Sequence, residues 1–245
     1  MLGYVKMLSS DFQVTRPNDD QIQRYWSWLL SVNPDINPIP SPNNDVFYLR
    51  AWYNYIDDIQ DARSDHPKRK NVGGDNPFTV GSESQPFHIS NNVCIFVPLL
   101  DTVVTDHDHD SNGNLLTDAD AINSILKNEN DQIKEGNLKA TIENLTAGTG
   151  EQDIDGNLLR FRTTSPSNSN AAMFPLTIPQ GSTLADKMEF PAPQGLTVQA
   201  RAEGVYLLLC NLTPGNTYHI KNRNHGLRHY NVHNDYYIYV EQATL

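Results

Sequence analysis

Residues 202–220, AEGVYLLLCNLTPGNTYHI, limit the fold more than any other stretch. The run VYLLL at 205–209 is apolar at every position, too short for a stable helix, and bounded by Gly204 and by Thr213-Pro214-Gly215. It suits a strand covered on both faces, in the middle of a sheet. Beyond the turn, Thr217, Tyr218 and Ile220 resume β-forming composition. Pro214 fixes φ at one corner and Gly215 frees it at the next, so two strands joined by a tight turn of set register are expected.

The rest of the C-terminal half keeps the same cadence. Leu138, Ala140 and Ile142 alternate with polar neighbours, Asp155-Gly156 has a hairpin signature, and Leu159 and Phe161 alternate again. Residues 174–178, 196–200, 217–220 and 236–240 read as further short strands between Pro and Gly turns. The expectation is a mostly β protein, a β-sandwich or jelly roll, forming one domain over residues 1–245. Another buried strand, residues 93–104, contains Pro98, which requires a bulge, an edge or a strand end.

Two helices are expected against this sheet framework. In residues 18–32, Ile22, Tyr25, Trp26, Leu29 and Leu30 form one apolar stripe, and Asn18 with Gln21 has capping-box spacing. The stripe puts Tyr25 and Trp26 in the core and leaves Trp28 outside it. The second helix, residues 117–135, follows an acidic loop, so that loop and helix form an insertion over about 106–136. Residues 46–59 fit either type, and the spacing of Tyr48, Trp52, Tyr55 and Ile59 favours helix.

A formal charge of −11 argues against a nucleic-acid surface, since the one tight basic cluster is Lys68-Arg69-Lys70. No apolar run approaches the ~18 residues of a membrane span. Cys94 and Cys210 are either buried thiols or one bridge between neighbouring strands; buried thiols are favoured, because two cysteines make no framework. The first residues, MLGYVKMLSSDFQV, lack the pattern of a signal peptide.

Four segments carry a resemblance. They are Tyr25-Trp26-Ser27-Trp28-Leu29-Leu30-Ser31-Val32 followed by Asn37-Pro38; residues 94–100 with the internal Pro98; residues 161–166 leading into Phe174-Pro175-Leu176-Thr177-Ile178-Pro179; and Glu203-Gly204-Val205-Tyr206-Leu207-Leu208-Leu209 leading into Leu212-Thr213-Pro214-Gly215-Asn216-Thr217-Tyr218-His219-Ile220. In this order they resemble a family of uncharacterised, mostly secreted bacterial β-sandwich proteins. Ser90-Asn91-Asn92 stands where that family tends to carry a glycine-bearing turn. The resemblance implies a sandwich fold and export, and brings no reaction with it.

The acidic loop holds the sharpest chemical pattern. Asp108, Asp110, Asn112, Gly113 and Asn114 match the first half of an EF-hand calcium loop, in which alternating oxygen ligands wrap a hard cation. The twelfth position is Ala119, so Asp118 or Asp120 would have to supply the missing carboxylate and Asp106 an extra ligand. Without an ion, the loop reads as a solvated acidic turn ahead of a helix. His107 and His109 alternate, which puts both rings on one side of an extended segment; a transition metal would need a third ligand, for which His219, His225, His229 and His233 are candidates. Asn and Gly around His229 and His233 point to loop. Asp57, Asp58, Asp61, Glu143 and Glu189 are candidate carboxylates for glycoside cleavage, and no nucleophile elbow, phosphate loop or His-Glu-x-x-His helix is present.

The expected function is thus that of an extracellular, Ca2+-stabilised β-sandwich that binds a glycan or cell-surface component and is not an enzyme. Two alternatives stand beside it: a polysaccharide hydrolase or lyase or histidine metalloenzyme, and a self-assembling structural module.

Overall fold

A computed structural model describes residues 6–9, 12–31, 45–49, 53–55, 78–110, 112–116, 120, 122, 123, 126, 134–168, 172–182, 185, 186, 190, 192–224 and 230–242. Along the chain run β1 (Lys6–Ser9), β2 (Phe12–Thr15), α1 (Asp19–Ser31), β3 (Val46–Tyr48), β4 (Tyr53–Tyr55), β5 (Phe78–Val80), β6 (Phe87–Ile89) and β7 (Cys94–Thr105). Then come β8 (Leu138–Asn144), β9 (Gln152–Asp153), β10 (Arg162–Ser165), β11 (Phe174–Thr177), β12 (Thr197–Cys210), β13 (Thr217–Asn224) and β14 (Tyr230–Val240). They form two sheets. The first has the order β1-β2-β12-β7-β3 with β10 and β11 also along β12; the second has the order β4-β14-β13-β8-β9 with β5 and β6 also along β14.

β12 is the axis of the first sheet. One edge pairs with β7 from Ala200↔Thr105 to Leu209↔Ile95, and the other is shared among β11, β10 and β2. Its apolar run is covered on both faces because alternate side chains enter different layers. Val205, Leu207 and Leu209 pack between the sheets with Tyr218, Ile220, Tyr236 and Ile238, while Ala202, Tyr206 and Leu208 face α1. The helix starts where expected: the Asn18 side chain accepts from the Gln21 N–H and the Gln21 side chain from the Asn18 N–H, both at 2.9 Å. Its stripe of Ile22, Tyr25, Trp26, Leu29 and Leu30 is buried, and so is Trp28, which packs between Tyr25 and Tyr48 rather than facing solvent.

Pro98 sits at a bulge. Tyr206 pairs with Pro98 and Val205 with Leu100, so Leu99 is the extra residue. Before it, Ile95 and Val97 face the other sheet and Phe96 faces α1; after it, Leu100 faces the other sheet and Asp101 faces α1, because one inserted residue reverses the alternation. The Pro98 carbonyl accepts from Asn222 Nδ2 of β13 at 2.8 Å, a polar tie between the layers.

Several expectations are corrected. β12 and β13 are not a hairpin: Asn211, at φ +58°, and the turn at Thr213 to Asn216 carry the chain from the first sheet to the second, where β13 pairs with β8 and β14. Each strand gains a long antiparallel partner in its own sheet, which outweighs the local pairing that the turn invites. The strands expected at 196–200 and 205–209 are one 14-residue strand running through Gly204. Of residues 46–59, those described form β3 and β4 and not the expected helix, in line with the aromatic and β-branched content of the stretch. Asp155-Gly156 does not close a hairpin; Asp155 accepts the Asn157 N–H at 2.7 Å and pairs with Arg160, starting a 3₁₀ turn at Leu158–Phe161. Among the described residues one α-helix is complete, not two. Of the second, Asp120, Ile122, Asn123 and Leu126 are helical, with Ile122 and Leu126 buried against Val104 and Leu116.

The cysteines are bonded to each other. Cys94 and Cys210 stand opposite one another beside the Ile95↔Leu209 pair, with Cα atoms 4.4 Å apart, so the expectation of free thiols fails. No described helix is long and apolar enough to cross a membrane. The chain is thus a mostly β protein with two packed sheets and a helix on the outside of the first.

Candidate functional site

The first sheet is closed on its outer side by α1, whereas the outer side of the second is built from polar and aromatic side chains. Along β13, Tyr218 and Ile220 point inward, so His219, Lys221 and Arg223 point outward; along β14, Tyr236, Ile238 and Val240 point inward, so Asp235, Tyr237 and Tyr239 point outward. Register then places His219 opposite Tyr237 and Glu143, Lys221 opposite Asp235 and Thr141, Arg223 opposite His233, and Tyr239 opposite His88.

Asp235 is the hub of this face. Its Oδ1 lies 3.0 Å from His219 Nε2 and 3.1 Å from Arg223 Nη2, and its Oδ2 lies 3.6 Å from His233 Nε2. Arg223 also donates to the backbone carbonyls of Asn222 and Asn234, which holds the guanidinium against the strands. Burial alone would raise the Asp235 carboxyl, but the His219 bond and the Arg223 charge outweigh it and hold the group below the usual range. The imidazole of His219 stacks on Tyr237, with centroids 4.1 Å apart and planes 15° from parallel. A second imidazole and phenol, His88 and Tyr239, meet at 4.9 Å. Burial and the neighbouring Asp235 charge raise the Tyr237 phenol, so it stays protonated and can donate.

At the rim, Lys221 pairs with Glu151, and Lys139 lies 3.8 Å from Asp153. The cations Arg223, Lys221 and Lys139 therefore each have a carboxylate partner. The face holds flat rings and fixed hydrogen-bonding groups, its three cations are each paired, and Glu143 adds a further carboxylate to it.

The residues expected from sequence to bind a cation lie elsewhere, on the loop after β7 at the far end of β12. Asp106 Oδ1 accepts the Gln199 N–H and lies 3.0 Å from His107 Nδ1. Asp108 Oδ2 accepts the Thr105 N–H and hydroxyl at 2.8 and 3.0 Å. Asp110 accepts the N–H groups of Asn112 and Asn114 at 2.8 and 2.9 Å, bonds that hold its carboxyl low. Gly113, at φ +83°, closes this tip, and His109 bridges Leu115 across it. Asp118 lies outside the described residues, and among those described no three or more His, Cys, Asp or Glu side chains converge as a metal site.

Of the four C-terminal histidines, His219 and His233 lie on strands rather than in loops and meet through Asp235, while His225 and His229 fall outside the described residues. His107 and His109 lie instead at the end of β7, on the loop that follows this strand of the first sheet. Glu143 is on the face; Asp57, Asp58, Asp61 and Glu189 lie outside the described residues. Sequence reasoning missed Asp235, Arg223 and Tyr237. Their signal was the alternation of YHIKNR at 218–223 and DYYIYV at 235–240, in which every second residue, His219, Lys221, Arg223, Asp235, Tyr237 and Tyr239, is polar or aromatic.

Compared with protein-family models, with curated proteins and with solved structures, the chain matches none.

Proposed function

We propose that the protein is an extracellular, non-catalytic binding module that takes a neutral glycan on the outer face of its second sheet. The observation that carries this reading is the hub at Asp235, where the pairing with Arg223 and His219 and the His219–Tyr237 stack fix rings and hydrogen-bonding groups in one layer. A sugar ring presents an apolar face and a girdle of hydroxyls. Tyrosine offers it an apolar body with a polar tip, and the buried Asp235 network holds these rings in place before a ligand arrives, without new ordering cost. Because the cations of the face are paired, a polyanion gains little there and a neutral polyol is favoured. The Cys94–Cys210 bond supports the extracellular assignment, since disulfides persist in oxidising compartments.

Calorimetric titration with a panel of soluble neutral polysaccharides tests the proposal. Binding is expected to vary little between low and ~0.5 M salt, given the short Debye length, and to fall at least tenfold in Tyr237→Ala with the melting temperature nearly kept. Equal affinity in Tyr237→Ala, or binding restricted to polyanions and lost in salt, contradicts it; release of reducing ends or unsaturated sugars replaces it with the enzymatic alternative.

A further inference from the structure

The bulge at Leu99 turns Asp101 away from the space between the sheets and under α1. There Oδ2 accepts the Tyr25 hydroxyl at 2.7 Å, while Oδ1 is closed to solvent and has no hydrogen-bond partner. The titratable groups facing it are two phenols, Tyr25 from α1 and Tyr206 from β12. Phe96 stacks on Tyr25 at 4.8 Å, completing an aromatic enclosure. Glu203, next along β12, points to the opposite side and pairs with Arg162; among the described residues no Lys, Arg or His forms an ion pair with Asp101.

We propose that Asp101 is a pH-sensitive latch for α1: its neutral carboxyl keeps the helix seated on the first sheet, and its ionisation loosens the helix. A carboxylate without a cation in an apolar enclosure is costly, so the seated state favours the protonated form. Consistent with that, burial pushes the Asp101 carboxyl up to about 7, against the opposing pull of the Tyr25 bond. With α1 lifted, the carboxyl meets water and titrates near its ordinary value of about 3.9. The sign follows. The seated state binds the proton more tightly, so seating is firmest below pH ~4, weakens by up to roughly tenfold per pH unit as pH rises to ~7, and levels off above. Lifting the helix exposes Trp26 and Trp28 and uncovers the aromatic floor of Tyr48, Phe96 and Tyr206.

Native-state hydrogen exchange on the full chain tests the latch, with α1 amides compared with β12 amides after correction for intrinsic exchange. In the wild type the opening of α1 relative to β12 is expected to grow at least roughly 30-fold between pH 5 and 7. Asp101→Asn keeps the volume and an acceptor for Tyr25, and its opening is expected to be independent of pH. Tyr25→Phe removes only the hydroxyl that lowers the carboxyl pKa, so its window moves to higher pH. A flat wild-type response, or a pH response that persists in Asp101→Asn, overturns the proposal; should that variant not fold, an unmoved window in Tyr25→Phe does so.

Discussion

Gly204 shows how one missing side chain sets the centre of the molecule. A Cβ placed there would stand 2.3 Å from the Leu100 carbonyl oxygen and 2.6 Å from the Tyr206 ring, on two elements that have no room to retreat. The glycine lets the Tyr206 phenol lie back over the strand. Gly204→Ala is expected to cost about 3 kcal/mol, at the upper end of overpacking penalties, as read by chemical denaturation; a loss below ~0.5 kcal/mol would show that the close approach is not needed. From sequence Gly204 reads as a strand boundary, because glycine is the common punctuation of strands, and only the packed partner reveals that it marks a close approach instead.

At the scale of elements, the strand alternation and the helix stripe were readable, and the connections between them were not. The Asn18–Gln21 box and the alternation of β8 depend on residues a few positions apart. Whether the Pro214-Gly215 turn joins partners in one sheet or crosses to another depends on β7 and β14, which sequence distance does not reveal. In the acidic loop the carboxylates match a ligand pattern, and Asp108 and Asp110 also accept the N–H groups of their own turns, bonds that the spacing of the residues does not reveal. The hub on β13 and β14 was hidden because its residues pair across strands. Its electrostatics make a prediction. Asp235 has a lowered folded pKa, so its contribution is present above the unfolded value near 3.9 and lost as pH falls through the folded one. Asp235→Asn is expected to lose about 2 kcal/mol at pH 7, with the gap to the wild type closing in acid as measured by denaturation at several pH values. A gap that stays constant down to pH 2 would mean that the carboxylate charge is not what holds Arg223 and His219.

For the whole molecule, one covalent bond ties β7 and β12, the paired central strands of the first sheet, at one end of their ladder across a sequence separation of 116 residues. Closing a loop of that length restricts the unfolded chain, so the double variant Cys94→Ala/Cys210→Ala is expected to lose about 4 kcal/mol and to make the protein indifferent to reductant. An unchanged midpoint in reductant would show that the bond is not formed in solution. Under the proposed function the two layers divide the labour: the first sheet, stapled and covered by α1, is scaffold, and the polar face of the second takes the ligand. Mapping that face by hydrogen exchange, with and without a saturating neutral oligosaccharide, tests this division most directly. Protection concentrated on β13 and β14 is the predicted result; protection concentrated on α1, the first sheet or the acidic loop, with β13 and β14 unchanged, would contradict it.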